Sequence, residues 1–331
     1  MILSRTPFRI SFFGGGTDYP AWYRQHGGSV VGTTIDKYCY ISCRYLPPFF
    51  EHRHRIVYSL VEHVKEIPEI KHPAVRAILQ SFNYSEGLEI HHDGDLPARS
   101  GLGSSSAFTV GFIHAMKALR GEMISKRELA SQAIQIEQEV LKENVGSQDQ
   151  VLTAYGGLNR IDFYQDDSFV VTPVIMTKER IAEFQSHMML FFTGFARISS
   201  EVAKTYVENL ERKRPALEAV GNMVEEATSI LQSRTAPLEK FGELLKEYWS
   251  LKKSLSDKVS NPAIDEIYQA GMKAGAMGGK LLGAGGGGFM LFFVKPELQD
   301  KVRERLKHLI CVSFRIDYNG SKIVVYEPNN F

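Results

Sequence analysis

The chain has 331 residues, 44% hydrophobic and 23% charged. That is enough for two domains with a sizeable core and is ordinary for a globular protein. Lys plus Arg number 39 against 38 Asp plus Glu, which argues against a basic field for nucleic acid or an acidic membrane. Three cysteines, Cys39, Cys43 and Cys311, exclude a disulfide framework, no Cys/His pair has zinc spacing, and no apolar run reaches membrane length.

Met1 to Arg5 runs straight into a glycine motif and leaves no room for a leader, so the cytoplasm is the expected compartment. Ile10 to Phe13 predicts a strand that ends at Gly14-Gly15-Gly16. Val30 to Leu46, rich in Val, Ile, Thr and Tyr, predicts one long or two short strands, with Cys39 and Cys43 on one face as buried thiols. Ile56 to Ser59 is a short strand, His72-Pro73 opens a helix to Phe82, and Leu88 to His92 is a strand. A helix follows from Ser104 to Leu119, and Ser125-x-x-Glu128 caps another from Lys126 to Lys142. Leu158 to Tyr164 and Phe169 to Met176 form a hairpin that turns at Asp166-Asp167. Lys178 to Gln185 is the weakest continuity, which places the domain border between 183 and 184. Met188 to Phe192 is a strand, three helical stretches fill Ser199 to Leu255, and Phe289 to Val294 is a strand before a closing helix, strand, strand. Strands and helices mix without strict alternation, so the fold class is α+β.

The segment that carries chemistry is Pro97-Ala98-Arg99-Ser100-Gly101-Leu102-Gly103-Ser104-Ser105-Ser106. A glycine loop that feeds a helix N-terminus points several N–H groups at one spot, and that spot favours a phosphate. Serine hydroxyls beside it can ligate a metal that rides on the phosphate. It is not a P-loop, because the lone Gly-Lys pair, Gly279-Lys280, is followed by Leu281. Gly14-x-Gly16 opens a dinucleotide fingerprint, but its third glycine would fall on Tyr19. That counts against an oxidoreductase.

Three segments together resemble the GHMP kinase family over nearly the whole chain. They are Pro7 to Tyr19, Pro97 to Ala107, and Lys280 to Phe289 with its run Gly283-Ala284-Gly285-Gly286-Gly287-Gly288. The resemblance implies a domain like ribosomal protein S5 over 1–183, a ferredoxin-like domain over 184–331, and ATP in the cleft between them. It implies that Arg99, Gly101, Leu102, Gly103, Ser104, Ser105 and Ser106 cradle the phosphates, with Gly285 and Gly286 closing the other side. Mg2+ would take Ser105 and a glutamate of Ile136-Glu137-Gln138-Glu139, with Glu137 favoured and Glu139 as the fallback. Gly146-Ser147-Gln148-Asp149-Gln150 supplies Asp149 as the carboxylate that takes or orients the acceptor proton, with Arg9 beside it to stabilise developing charge. Gly16, Thr17 and Asp18 would meet sugar hydroxyls, with Gly286 and Arg197 as further substrate contacts.

The Gly-Gly-Gly-Thr-Asp form of the first motif departs from galactokinase and is similar to family members that phosphorylate D-glycero-D-manno-heptose 7-phosphate at its anomeric hydroxyl. The expectation is therefore an ATP- and Mg2+-dependent sugar kinase with a small-molecule sugar or sugar phosphate as its partner. Neither nucleic acid nor membrane is expected, and the oligomeric state stays open. An unphosphorylated hexose such as galactose or fucose, or a non-catalytic sugar sensor on the same scaffold, are the alternatives. His52-Arg53-His54-Arg55 is the candidate for a distal phosphate if both arginines share one strand face.

Overall fold

The computed structural model describes residues 1–194 and 211–327. In chain order these form β1 (Ile2–Phe13), α1 (Pro20–His26), β2 (Gly28–Tyr45), β3 (His54–Val57), β4 (Val61–Val64), α2 (Pro73–Ser81), β5 (Leu88–Gly94) and α3 (Ser104–Leu119). Then come α4 (Lys126–Gln135), α5 (Gln148–Tyr155), β6 (Leu158–Phe163), β7 (Phe169–Pro173), α6 (Lys178–Ser186) and β8 (Met188–Phe192). The second half continues with α7 (Arg214–Gln232), α8 (Glu239–Leu255), α9 (Pro262–Lys273), β9 (Gly278–Leu281) and β10 (Phe289–Phe293). It closes with α10 (Gln299–Arg305), β11 (Ile310–Val312), β12 (Ile316–Asp317) and β13 (Lys322–Tyr326).

Two sheets organise these elements. The first runs β13-β1-β2-β5-β3-β4, and β2 also pairs with β6 and β12. The long β2 serves β6 through residues 28–33 and β5 through residues 39–45, so one strand carries two branches. The second sheet runs β11-β8-β10-β9 and is antiparallel throughout. The last strand returns to the first sheet, pairing Leu3 with Val325. This mix of helix and sheet is the expected α+β class.

β1 is three times the length read from its apolar end, because Ser4 and Thr6 look like loop residues but are buried and satisfied. Ser4 Oγ donates to Gly111 O at 2.8 Å, and Thr6 pairs with Ser321 at 2.8 Å. The β1–β2 register shifts between Pro7 and Arg9, and such a bulge re-aims the side chain that follows it. Lys178 to Gln185, read as the weakest continuity, lies instead within α6, which the Thr177 side chain caps. The border expected at 183/184 falls inside it. α1, α5 and α9 were not foreseen, although Asn261 before Pro262 is an ordinary helix start. The Ser125–Glu128 capping box forms as expected. The helix it opens gives way at Ile136–Val140 to a π turn. The hairpin turns at Asp167 with φ +64°, and both Cys39 and Cys43 are buried.

A phenylalanine cluster joins the two halves. Phe12 meets Phe184 and Phe241 edge-on at 5.6 and 5.5 Å, and Phe241 meets Phe293 at 5.3 Å. The second sheet is thereby docked on the end of β1, just beside the first glycine run.

Candidate active site

The first turn of α5 ties the sequence motifs together. Three consecutive residues reach both ends of the first motif and the π turn. The Gln148 N–H donates to Asp18 Oδ2 at 3.3 Å, Asp149 receives Arg9, and Gln150 Nε2 donates to Glu137 Oε2 at 2.5 Å. The sequence reading assigned this segment no helix. The signal for a helix was present in the apolar spacing of Val151, Leu152 and Ala154, all buried.

Arg9 grips Asp149 with a fork, Nε to Oδ1 at 2.7 Å and Nη2 to Oδ2 at 2.5 Å. Its remaining nitrogen, Nη1, donates to Gly101 O at 2.6 Å, and its backbone N–H donates to Leu102 O at 3.0 Å. The guanidinium therefore joins the acidic residue to the glycine loop. Arg9 is buried, whereas the Asp149 side chain is 23% exposed. The carboxylate can meet a solute, and the arginine cannot leave.

The glycine loop is built on backbone contact. Gly101 has φ +81°, and a Cβ there would lie 2.4 Å from Leu282 O. Arg99 is exposed with φ +58°, and its N–H donates to Ser104 Oγ at 3.1 Å. α3 begins directly after Gly103 with no side-chain cap, which leaves its first N–H groups to an anion. The Ser100 hydroxyl is buried with no hydrogen-bond partner.

Glu137 sits in the π turn and is 1% exposed. Such turns shift the helical register and re-aim a side chain. Its Oε2 accepts from Ser106 Oγ at 2.9 Å, and its Oε1 is buried without a partner. Burial pushes its pKa up to about 7, against hydrogen bonds from Thr109, Ser106 and Gln150 and with help from the Glu143 charge. The serine brought to Glu137 is thus Ser106, whereas Ser105 is exposed. Motif matching had favoured Ser105; the helical turn carries its neighbour inward. Glu139 is not among the buried acids.

Asp18 is also buried. Oδ1 accepts the Gly16 N–H at 2.8 Å, and a Cβ on Gly146 would lie 1.9 Å from Oδ2. Burial pushes its pKa up to about 6, with the Asp149 charge adding to the rise. Thr17 is buried as well, with Oγ1 donating to Gly14 O and Ser29 O. In the structure Asp18 holds the first loop against Ser147 and Gln148, and Thr17 holds it against Ser29. Arg197 lies outside the described residues.

The C-terminal glycine run does not stand open toward a ligand along its whole length. The Gly286 N–H donates to Val259 O at 3.0 Å, the Phe289 N–H donates to Ser100 O at 3.1 Å, and Gly285 lies against Val259. The run thus packs against Ser100, at the start of the first glycine loop, and against Val259. The basic run near residue 53 is remote from the site. Arg55 Nη1 donates to Glu89 at 3.1 Å, Arg44 Nε reaches the same carboxylate at 2.7 Å, and Arg53 donates to Ser85 O. Glu89 aligns with Arg44, one residue past the Ile2–Cys43 pair. Ile2 lies seven residues from Arg9, about 23 Å along a strand at ~3.3 Å per residue. Arg53 and Arg55 are therefore surface ion-pair partners, too far to read a phosphate on a substrate held at Asp149.

Residues 64–157 match the GHMP kinases N terminal domain, and residues 231–310 match the GHMP kinases C terminal. Mevalonate kinase of Pyrococcus horikoshii is 31% identical over 71% of this chain and 67% of its own. The chain belongs to the GHMP kinases. Such a kinase is an ATP-dependent phosphotransferase, and the first of the segments that carried the resemblance, with Arg9 and Asp18, is bonded to α5. The D-glycero-alpha-D-manno-heptose 7-phosphate kinase of Campylobacter jejuni is 29% identical over 89% of this chain and 90% of its own. The crystal structure of a D-glycero-D-manno-heptose 1-phosphate kinase from Bacteroides superposes with a TM-score of 0.79, covering 97% of this chain and 98% of that one at 23% identity. That likeness supports the two-domain GHMP kinase fold. Among the described residues no helix is long and apolar enough to cross a membrane.

Proposed function

We propose that this GHMP kinase transfers the γ-phosphoryl group of ATP to the anomeric hydroxyl of D-glycero-D-manno-heptose 7-phosphate, giving the 1,7-bisphosphate, with Mg2+ as the metal. The observation that carries the chemistry is the Arg9–Asp149 fork, fixed to the glycine loop through Gly101. The likeness to the Campylobacter relative over most of both chains supports the sugar.

In this reading the N–H groups of residues 101–106 and the start of α3 cradle the phosphates. Asp149, the exposed member of the fork, takes or orients the proton of the acceptor hydroxyl. Phosphoryl transfer asks mostly for positioning and charge, so a carboxylate fixed by two hydrogen bonds suits the task. Arg9 supplies positive charge next to the transferring group and holds Asp149 in one rotamer. Asp18 keeps the first loop on α5, so its part is in shaping the acceptor pocket.

The donors at Glu137 fit a divalent cation. A buried carboxylate with an unpartnered oxygen and a serine hydroxyl beside it is a hard oxygen set with a charge to neutralise. Bound there, Mg2+ would screen the phosphate oxygens and favour their transfer geometry. No cluster of three His, Cys, Asp or Glu occurs among the described residues. The remaining ligands would come from the nucleotide and water.

The test is ADP release with Mg·ATP and a panel of sugars and sugar phosphates. Turnover of heptose 7-phosphate well above unphosphorylated heptose, galactose and fucose is expected. Equal use of heptose with and without its phosphate would move the reading to a neutral sugar.

A further inference from the structure

Two buried lysines back the glycine loops, and the reaction outlined above does not use them. Lys252, on α8, donates from Nζ to Leu281 O at 3.0 Å and Gly283 O at 2.5 Å. Lys280, on β9, donates to Ser11 O and Phe12 O, both at 2.9 Å, and its ammonium lies 4.2 Å from the centre of the Tyr248 ring. Lys252 thus holds the C-terminal glycine run, and Lys280 holds the strand end that carries Gly14 to Gly16. The two holds meet at the phosphate loop. Gly283 backs onto Gly101, with the Gly101 Cα 2.6 Å from where a Gly283 Cβ would be, and Gly101 O accepts from Arg9.

Neither ammonium pairs with a carboxylate among the described residues. A buried cation held only by carbonyls is costly to desolvate, and its hydrogen bonds to those carbonyls offset only part of that cost. Burial and the charge of Arg9 push Lys252 down to about 7. Burial, with Lys252 and Arg9 beside it, pushes Lys280 well below the ordinary lysine range. Three basic groups therefore crowd behind one loop, two of them held back from full protonation by burial and by one another, with Asp149 as the carboxylate bound to Arg9. A triphosphate in that loop supplies the counter-charge they lack.

We propose that Lys252 and Lys280 are positioning residues for phosphoryl transfer, clamping the two glycine loops and giving the pocket, with Arg9, the positive charge that a triphosphate satisfies. The proposal rests on the ATP-dependent reading and not on the identity of the sugar.

Lys252→Met, Lys280→Met and Lys252→Gln test it. Each is measured by thermal unfolding without nucleotide and by calorimetric titration with a non-hydrolysable ATP analogue and with AMP, both with Mg2+. The methionine variants lose the donors to those carbonyls and should melt somewhat lower than wild type. They should bind the ATP analogue about 10-fold or more weakly, the range of a lost charge-assisted contact, with AMP affinity changed by less than about twofold. Lys252→Gln keeps an N–H donor but no charge, so its analogue affinity should also fall. Wild-type analogue affinity in any folded variant overturns the proposal. A lowered melting temperature with unchanged affinity does so too, since it assigns the lysines to structure alone. If the methionine variants do not fold, Lys252→Gln decides on the same terms. Binding is read without an acceptor, so an error in the sugar leaves this test intact.

Discussion

Removing the charge of Glu137 while keeping its shape should stabilise the ligand-free protein at pH 8. The carboxyl is 1% exposed, one of its oxygens has no partner, and burial lifts its pKa from 4.5 to about 7. A group that holds its proton more tightly when folded stabilises the fold fully below its unfolded pKa. That contribution is lost as the pH rises through the folded value. Here the window runs from 4.5 to about 7, and at 1.36 kcal/mol per pH unit the loss is at most about 3 kcal/mol. With an unfolding entropy of ~2.1 cal/mol/K per residue, a chain of this length loses about 3–5 °C in Tm. Glu137→Gln carries no charge at any pH. Its Tm should exceed that of wild type by that margin at pH 8, and the gap should close toward pH 5. Asp18, also raised by burial, keeps a slope in both proteins. The assay is thermal unfolding from pH 5 to pH 8 without nucleotide or Mg2+. A variant no more stable than wild type at pH 8, or a gap that ignores pH, refutes the reasoning.

Three further substitutions probe the site. Asp149→Asn should leave ATP binding nearly intact and lower kcat by about 10²–10⁴-fold; a steady-state fall below about threefold would remove Asp149 from the proton's path. Ser106→Ala should raise the Mg2+ concentration for half-maximal rate more than Ser105→Ala does, because Ser106 bonds Glu137; the reverse order in a metal titration would restore Ser105 as the ligand. Gly101→Ala puts a methyl 2.4 Å from Leu282 O at φ +81°, a strain of about 1–3 kcal/mol. Its KM for ATP should rise about 10-fold or more, and an unchanged KM would show that the loop is not the phosphate cradle.

The glycine motifs were legible because backbone turning demands glycine wherever the chain must bend or touch. The long apolar strand 30–46 and the capped helix from Lys126 were legible for the same kind of local reason. What escaped was set by tertiary contact. The start of β1 before Ile10 escaped because the partners that bury Ser4 and Thr6, Gly111 and Ser321, are far away in sequence. That Ser106 rather than Ser105 bonds Glu137 depends on how α3 faces the π turn, which motif spacing does not encode. Lys252 and Lys280 look like ordinary surface lysines until the glycine runs fold over them. Arg53 and Arg55 formed an attractive basic run, yet the sheet carries them to the far end of β1.

The most direct test of the account is to follow the transferred phosphoryl group itself. The enzyme, Mg·ATP and heptose 7-phosphate are incubated together, and the products are resolved by phosphorus NMR. The account predicts one ADP for each new phosphate, with that phosphate coupled to the anomeric proton and the 7-phosphate retained. A new phosphate on any other carbon, or ADP formed without a phosphorylated sugar, would contradict it.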